Sequence, residues 1–214
     1  MPLEFRSYNF DITSEKRDDG IGVLTGQPVV YNSETDIGGM FREIIDAGAL
    51  DETDLRDVVF LVNHNDKMIP AARSRRNNGN STMQMSINER GLYLDKVELD
   101  IENNSESRAL YSAVDRGDLD GMSFRFSVTQ ERWEDLDTDY PTRHLEKIGK
   151  IVEVSAVTFP AYDATSIQAR NADALENARV ALDNAKKEAR SLDSDKHNNE
   201  LALLKAKTLI IGGI

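Results

Sequence analysis

The chain contains no cysteine, which removes disulfides, a thiolate nucleophile and any cysteine metal site, and is what an intracellular protein would show. Histidine is scarce too. The three present do not fall at a His-x-x-x-His or comparable ligand spacing, so a metal-dependent hydrolase ranks behind other enzyme classes, and no cofactor is implied. Basic residues are in the minority, 26 against 38 acidic, and the resulting charge of −12 argues against a nucleic-acid groove, which needs a concentrated positive surface. Long apolar runs are missing. Nothing approaches the roughly 18 residues of a membrane span, and Met1-Pro2-Leu3-Glu4-Phe5-Arg6 has no apolar segment of the kind a secretory signal carries. A soluble, unexported protein without membrane or nucleic-acid partners is expected.

What is present is strand-rich. At 214 residues and 39% hydrophobic content, the chain can build one sizeable core plus an accessory segment. Leu3 to Ile12 alternates loosely as a half-buried strand, Asp18-Asp19-Gly20 reads as a turn, and Gly22–Tyr31 predicts a strand bent at Gly26–Pro28. Ile37 to Ile45 mixes glycines with apolar residues and has no evident register. The β-branched run Asp57–Val62, bounded by polar residues, predicts a buried strand ending at Asn63-His64-Asn65. Two more strands follow, at Gly79–Met85 and Gly91–Leu99. The segment Glu106–Gly117 predicts a helix capped by Asn103, Asn104 or Ser105, with Ala109, Leu110, Ala113 and Val114 on the core face and Gly117 as its stop.

Ser123–Thr129 reads as a strand with Phe124, Phe126 and Val128 on one side and Ser123, Arg125 and Ser127 on the other. Trp133–Arg143 is acidic and poorly patterned, as a surface loop would be, and Ile148–Phe159 is again β-rich. From Asn171 the aromatics stop. Leu175, Ala178, Leu182, Ala185, Ala189 and Leu192 recur at steps of three and four, the seam of a coiled coil or helical hairpin, followed by a polar break at Ser191–Asn199 and a second short helix with Leu201, Leu203 and Leu204. This tail is net neutral, so the whole −12 sits in residues 1–170. The expected organisation is a domain over 1–170 and a helical, coiled-coil-like tail over 171–214, the tail serving self-association, a partner or tethering to a scaffold.

Chemistry concentrates at Gly121-Met122-Ser123-Phe124. A serine hydroxyl attacks a carbonyl usefully only when a neighbouring base takes its proton, histidine being the usual base and a third polar group fixing its tautomer. His64 after a buried strand is placed on a loop held by a rigid scaffold, where binding groups often lie, or else caps a turn.

Three ordered blocks carry a resemblance. They are His64 after its strand, then Ala113-Val114-Asp115-Arg116-Gly117-Asp118-Leu119-Asp120-Gly121-Met122-Ser123-Phe124-Arg125-Phe126, then Glu153-Val154-Ser155-Ala156-Val157-Thr158-Phe159-Pro160-Ala161-Tyr162. Together, over residues 1–170, they resemble the phage prohead maturation proteases of the HK97 type. The resemblance implies a mostly β fold with flanking helices (α+β), a closed antiparallel β-barrel like that of the herpesvirus assembly proteases. It also implies a serine endopeptidase that works inside the assembling procapsid in the host cytoplasm. Its implied substrates are the scaffold protein or the scaffolding region of the major capsid protein, and the enzyme itself. By the same resemblance Ser123 corresponds to the nucleophile and His64 to the base. Glu153 is preferred as third member, with Asp66 and His144 as rivals, while Ser155 and Ser127 compete with Ser123. A non-enzymatic capsid-assembly or scaffolding module is the alternative; such a module has no reason to bring Ser123, His64 and Glu153 together.

Overall fold

A computed structural model describes residues 3–8, 12–158, 176–192, 194 and 200. Its described strands form two sheets. The larger is built on β11 (Thr142–Val157), which pairs antiparallel with β10 (Gly121–Glu134) along one edge; β10 in turn pairs antiparallel with β1 (Glu4–Tyr8). On its other edge β11 takes two short strands side by side: β5 (Phe41–Ile45), parallel to Thr142–Leu145, and β6 (Asp57–Val62), parallel to Glu153–Ala156. Strand β4 (Glu34–Ile37) extends the sheet from β5, and β7 (Ala72–Arg75) extends it from β6. The smaller sheet has the order β2 (Ile12–Lys16), β3 (Ile21–Val30), β9 (Gly91–Asp100), β8 (Met83–Asn88). Helix α1 is Ser105–Asp115, and a second helix, α2, occupies 176–192.

One apolar cluster joins the layers. Leu24 and Val29 of β3, Leu92, Leu94, Val97 and Leu99 of β9, Phe60 of β6, Phe124 and Phe126 of β10, Ile151, Val154 and Ala156 of β11, and Leu110 and Val114 of α1 all belong to it. Fully burying each of the larger side chains is worth about 1.5–3 kcal/mol, so the alternation of apolar residues dictates which face of each strand turns inward. In α1 the Asn104 side chain accepts the backbone amides of Glu106 and Ser107, and Gly117, in the left-handed region at φ +75, stops the helix.

Several expectations from the sequence are corrected. The region Leu3 to Ile12 is two strands rather than one, β1 going to the larger sheet and β2 to the smaller. Trp133 and Glu134 still belong to β10, and Thr142 and Arg143 open β11, leaving only 135–141 as the connection. The two strands extend beyond the core as a ribbon whose polar faces hide its strand character from hydropathy. Residues Phe159–Tyr162, Leu175, Leu201–Leu204 and the apolar carboxyl end lie outside the described residues.

A second, small apolar cluster holds α2 to the body: Ala178 is fully buried with Ile37 and Phe41, and Met40, Trp133 and Leu182 pack against it. Cover along the described seam falls off from Ala178, fully buried, to Leu192, 62% exposed.

Charge is buried as well. Arg6 of β1 and Arg143 of β11 share the carboxylates of Glu4 and Glu43, all four side chains being buried. Arg6 Nη2 donates to Glu4 Oε2 at 2.7 Å and to Glu43 Oε2 at 2.6 Å, while Arg143 reaches the same two oxygens from Nη1 at 2.7 and 3.0 Å. Arg143 also pairs with Glu131 of β10, its Nε donating to Oε2 at 2.9 Å, so the cluster ties β1 to β5, β10 and β11. Burial raises the Glu4 carboxyl, but Arg6 and Arg143 outweigh it and bring it from 4.5 down to about 2. Its ionised form therefore stabilises the fold above pH 4.5, and that contribution disappears as pH falls toward 2. Glu4→Gln takes one carboxylate from two buried arginines that each keep Glu43, and should cost about 1–3 kcal/mol at pH 7. In urea titrations over a pH series, its loss of stability between pH 4.5 and 2 should be smaller than in the wild type. Parallel pH curves would show that Glu4 does not carry the effect.

Candidate active site

The three resemblance blocks converge on the face of the larger sheet opposite the Phe124 and Val154 side. Registration of β1, β10 and β11 places Ser7, Ser123 and Ser155 in one cross-strand row, and Phe5, Arg125 and Glu153 in the next. Cross-strand partners point to the same face of a sheet, a few ångströms apart. Because Phe124, Phe126, Val154 and Ala156 must turn into the core, Ser123, Arg125, Glu153 and Ser155 are forced onto this one.

His64 arrives from β6. Since β6 runs parallel to β11, its exit lies beside the end of β11, and four hydrogen bonds hold the turn there. Asn63 N donates to Ala156 O at 2.9 Å, and the Asn63 side chain accepts Thr158 N at 2.9 Å and donates to Thr158 Oγ1 at 3.0 Å. His64 N donates to Ser155 Oγ at 3.3 Å. Asn63 and His64 both have positive φ, 50° and 57°, a left-handed conformation that costs of order 1–3 kcal/mol per non-glycine residue and persists only where surrounding bonds impose it. The turn folds the imidazole back over the sheet.

There, His64 Nδ1 lies 2.6 Å from Glu153 Oε1, and the carboxylate is nearly fully buried. Burial opposes ionisation of Glu153, yet hydrogen bonds from His64 and Ser155 and the charge of Arg125 bring its pKa below the usual glutamate range. An ionised carboxylate only accepts, so the Nδ1 proton must sit on the histidine and the neutral ring keeps its lone pair at Nε2. That atom is buried and has no hydrogen-bond partner among the described residues. Phe5 meets the ring edge-on at 4.9 Å between centroids, and the Arg125 guanidinium lies 4.7 Å from the same phenyl centroid, so Phe5 is held between the two.

Ser123 is fully buried, and its hydroxyl donates to the Arg6 carbonyl of β1 at 2.8 Å. Thus His64 and Glu153 are in direct contact and Ser123 shares their face, while the Ser123 hydroxyl is bonded to β1 rather than to His64. The rivals lie elsewhere. Asp66 is exposed and bonds through its backbone to His64 O, and His144, nine residues along β11 from Glu153, pairs with Asp46 at 2.8 Å. Ser127 sits two rows from Ser123, opposite Lys150. Beside His64 a groove of about 850 Å³ runs between the loop 63–71 and α1, with Met68, Ile69, Leu110 and Leu119 among its apolar walls.

Comparison with known proteins decides the family. A model of the caudovirus prohead serine proteases matches residues 8–179. The chain belongs to that family. It is a serine protease of capsid maturation, which removes the non-enzymatic scaffolding module as a reading of its function. A prohead protease of Enterobacteria phage HK97 is 28% identical over 185 residues, covering 84% of this chain and 75% of the relative. Among solved structures, the bacteriophage T4 capsid assembly protease matches with a TM-score of 0.43 at 13% identity, over 74% of this chain and 98% of that one.

Phe5, Arg125 and Asn63 enter the site unannounced by local sequence; only the alternation around Ser123, which puts Arg125 on its face, signalled any of them. The Asn63 clamp can be tested directly. Asn63→Ala removes the side-chain bonds to Thr158 and a residue that tolerates this φ better than alanine does, so it should destabilise by about 1–3 kcal/mol. Hydrogen exchange should quicken locally at the amides of 63–66. Unchanged exchange there would mean the turn is held by other contacts.

Proposed function

We propose that Ser123 is the nucleophile, His64 the general base and Glu153 the group that orients the imidazole and stabilises its protonated form. The direct 2.6 Å contact between His64 Nδ1 and Glu153 is the observation that carries this assignment. In the reaction the Ser123 hydroxyl turns from the Arg6 carbonyl, attacks the scissile carbonyl carbon and passes its proton to His64 Nε2. The imidazolium beside Glu153 then gives that proton to the departing amine, leaving an ester on Ser123 that water, activated by the same histidine, hydrolyses.

The substrate is capsid protein: the scaffold, or the scaffolding region of the major capsid protein, cut inside the assembling procapsid in the host cytoplasm, with self-processing of the enzyme as a further cleavage. The name of the HK97 relative supports the setting. The proposed fold is a closed barrel in which the two sheets meet edge to edge. The seam that supports this is β7 with β8, where Arg73 N donates to Thr82 Oγ1 at 2.9 Å and Arg75 N to Ser81 Oγ at 3.0 Å; the strands are not all antiparallel as expected, since β5 and β6 run parallel to β11. The body is residues 1–170, and 171–214 form a tail that docks through Ala178 and Leu182 and leaves Leu192 free for self-association or for a scaffold partner.

Ser123→Ala and His64→Ala should each abolish cleavage of a scaffold substrate with the fold retained by circular dichroism, and the double variant should be scarcely worse than either, since members of one catalytic unit are non-additive. Glu153→Gln should lower kcat by roughly 10⁴-fold, as a wrong tautomer does in a comparable triad, with Asp66→Asn near wild type. Full activity in Ser123→Ala would remove the assignment.

Truncation after Arg170 tests the tail. Such a chain should fold and cut added scaffold with a lower melting temperature, because Phe41 and Ile37 lose their cover, and should be under-represented in assembled proheads. Equal incorporation would refute the tether.

A further inference from the structure

We propose that Ser155 is a positioning residue for the His64–Glu153 pair, holding the carboxylate and the histidine backbone through one buried hydroxyl. The inference rests on the assignment of Ser123, His64 and Glu153 above. Ser155 is fully buried, in the row of Ser123 and next to that of Glu153. Its Oγ lies 2.5 Å from Glu153 Oε1 and 3.3 Å from His64 N. A hydroxyl has one proton and two lone pairs. The proton goes to the carboxylate, which can only accept, and a lone pair takes the His64 amide.

The consequence is a small closed circuit: Ser155 Oγ to Glu153 Oε1, Glu153 Oε1 to His64 Nδ1, and His64 N back to Ser155 Oγ. One carboxylate oxygen accepts from both Ser155 and the imidazole, so the oxygen that sets the tautomer cannot rotate away without breaking two bonds. The amide contact fixes the histidine backbone where its positive φ would otherwise relax. Ser155 is thereby engaged at the Nδ1 end of the ring, the end that carries the proton, whereas a nucleophile must face the lone pair at Nε2. The charged groups that face Glu153 are His64 from the loop after β6 and Arg125 from β10; neither replaces a neutral donor that also anchors the backbone.

The test compares Ser155→Thr with Ser155→Val in the full chain, two variants of equal shape that differ by the hydroxyl alone, so any effect of the added methyl cancels. Threonine should retain most activity. Valine should lower kcat by roughly 100-fold relative to threonine, the order expected when catalytic groups are misplaced, with KM little changed. Equal kcat for the two variants would overturn the proposal. So would an inactive valine variant together with an active Ser123→Ala, which would make Ser155 the nucleophile and displace the underlying assignment too. If Ser123→Ala is inactive and the threonine and valine variants still match, only the positioning role fails.

Discussion

The structure depends on the side-chain alternation of β11, the one strand of the larger sheet paired with three others. Val154 and Ala156 are fully buried in the core, which compels Glu153 and Ser155 to face the opposite way. A slip of one residue would put a glutamate in the apolar cluster and expose the valine, reversing every side chain of the segment. Packing of the core and assembly of the site are therefore one constraint. The antiparallel pairing with β10 brings Ser123 beside Ser155, and the parallel pairing with β6 delivers His64 to the same end.

Strand β1 is used on both of its faces. Glu4 and Arg6 turn toward the buried ion cluster with Glu43 and Arg143, while Phe5 and Ser7 turn toward His64 and Ser123. The ion cluster thus fixes the backbone whose carbonyl receives the Ser123 proton. Left-handed strain at Asn63 and His64 is offset in a similar way by bonds to the end of β11. Both devices spend buried polar interactions on placing side chains at the site, where hydrophobic burial has no directional preference.

How far the sequence disclosed this follows from the range of each interaction. The strand of Ser123, the buried run before His64 and the capped helix α1 rest on periodicity and local capping, and all three appear as expected. Pairings between distant segments leave no local trace, so β1 beside β10, and with it Phe5 against His64, could not be foreseen. Glu4, Arg6, Glu43 and Arg143 look like surface charge in their own strands and are buried only because β1, β5 and β11 meet. Asp66, nearest to His64 in sequence, is exposed, whereas Glu153 reaches the ring across a parallel strand pair. The preference for Glu153 came from the resemblance, and its contact with His64 is consistent with it.

The central claim is that His64, held by Glu153, activates Ser123. A fluorophosphonate reacts covalently with an activated serine, and peptide mass mapping locates the adduct. The account predicts a single modified residue, Ser123, in the full-length enzyme, with the adduct lost when His64 is replaced by alanine. An adduct on Ser155 or Ser127, or labelling of Ser123 that persists without His64, would contradict it.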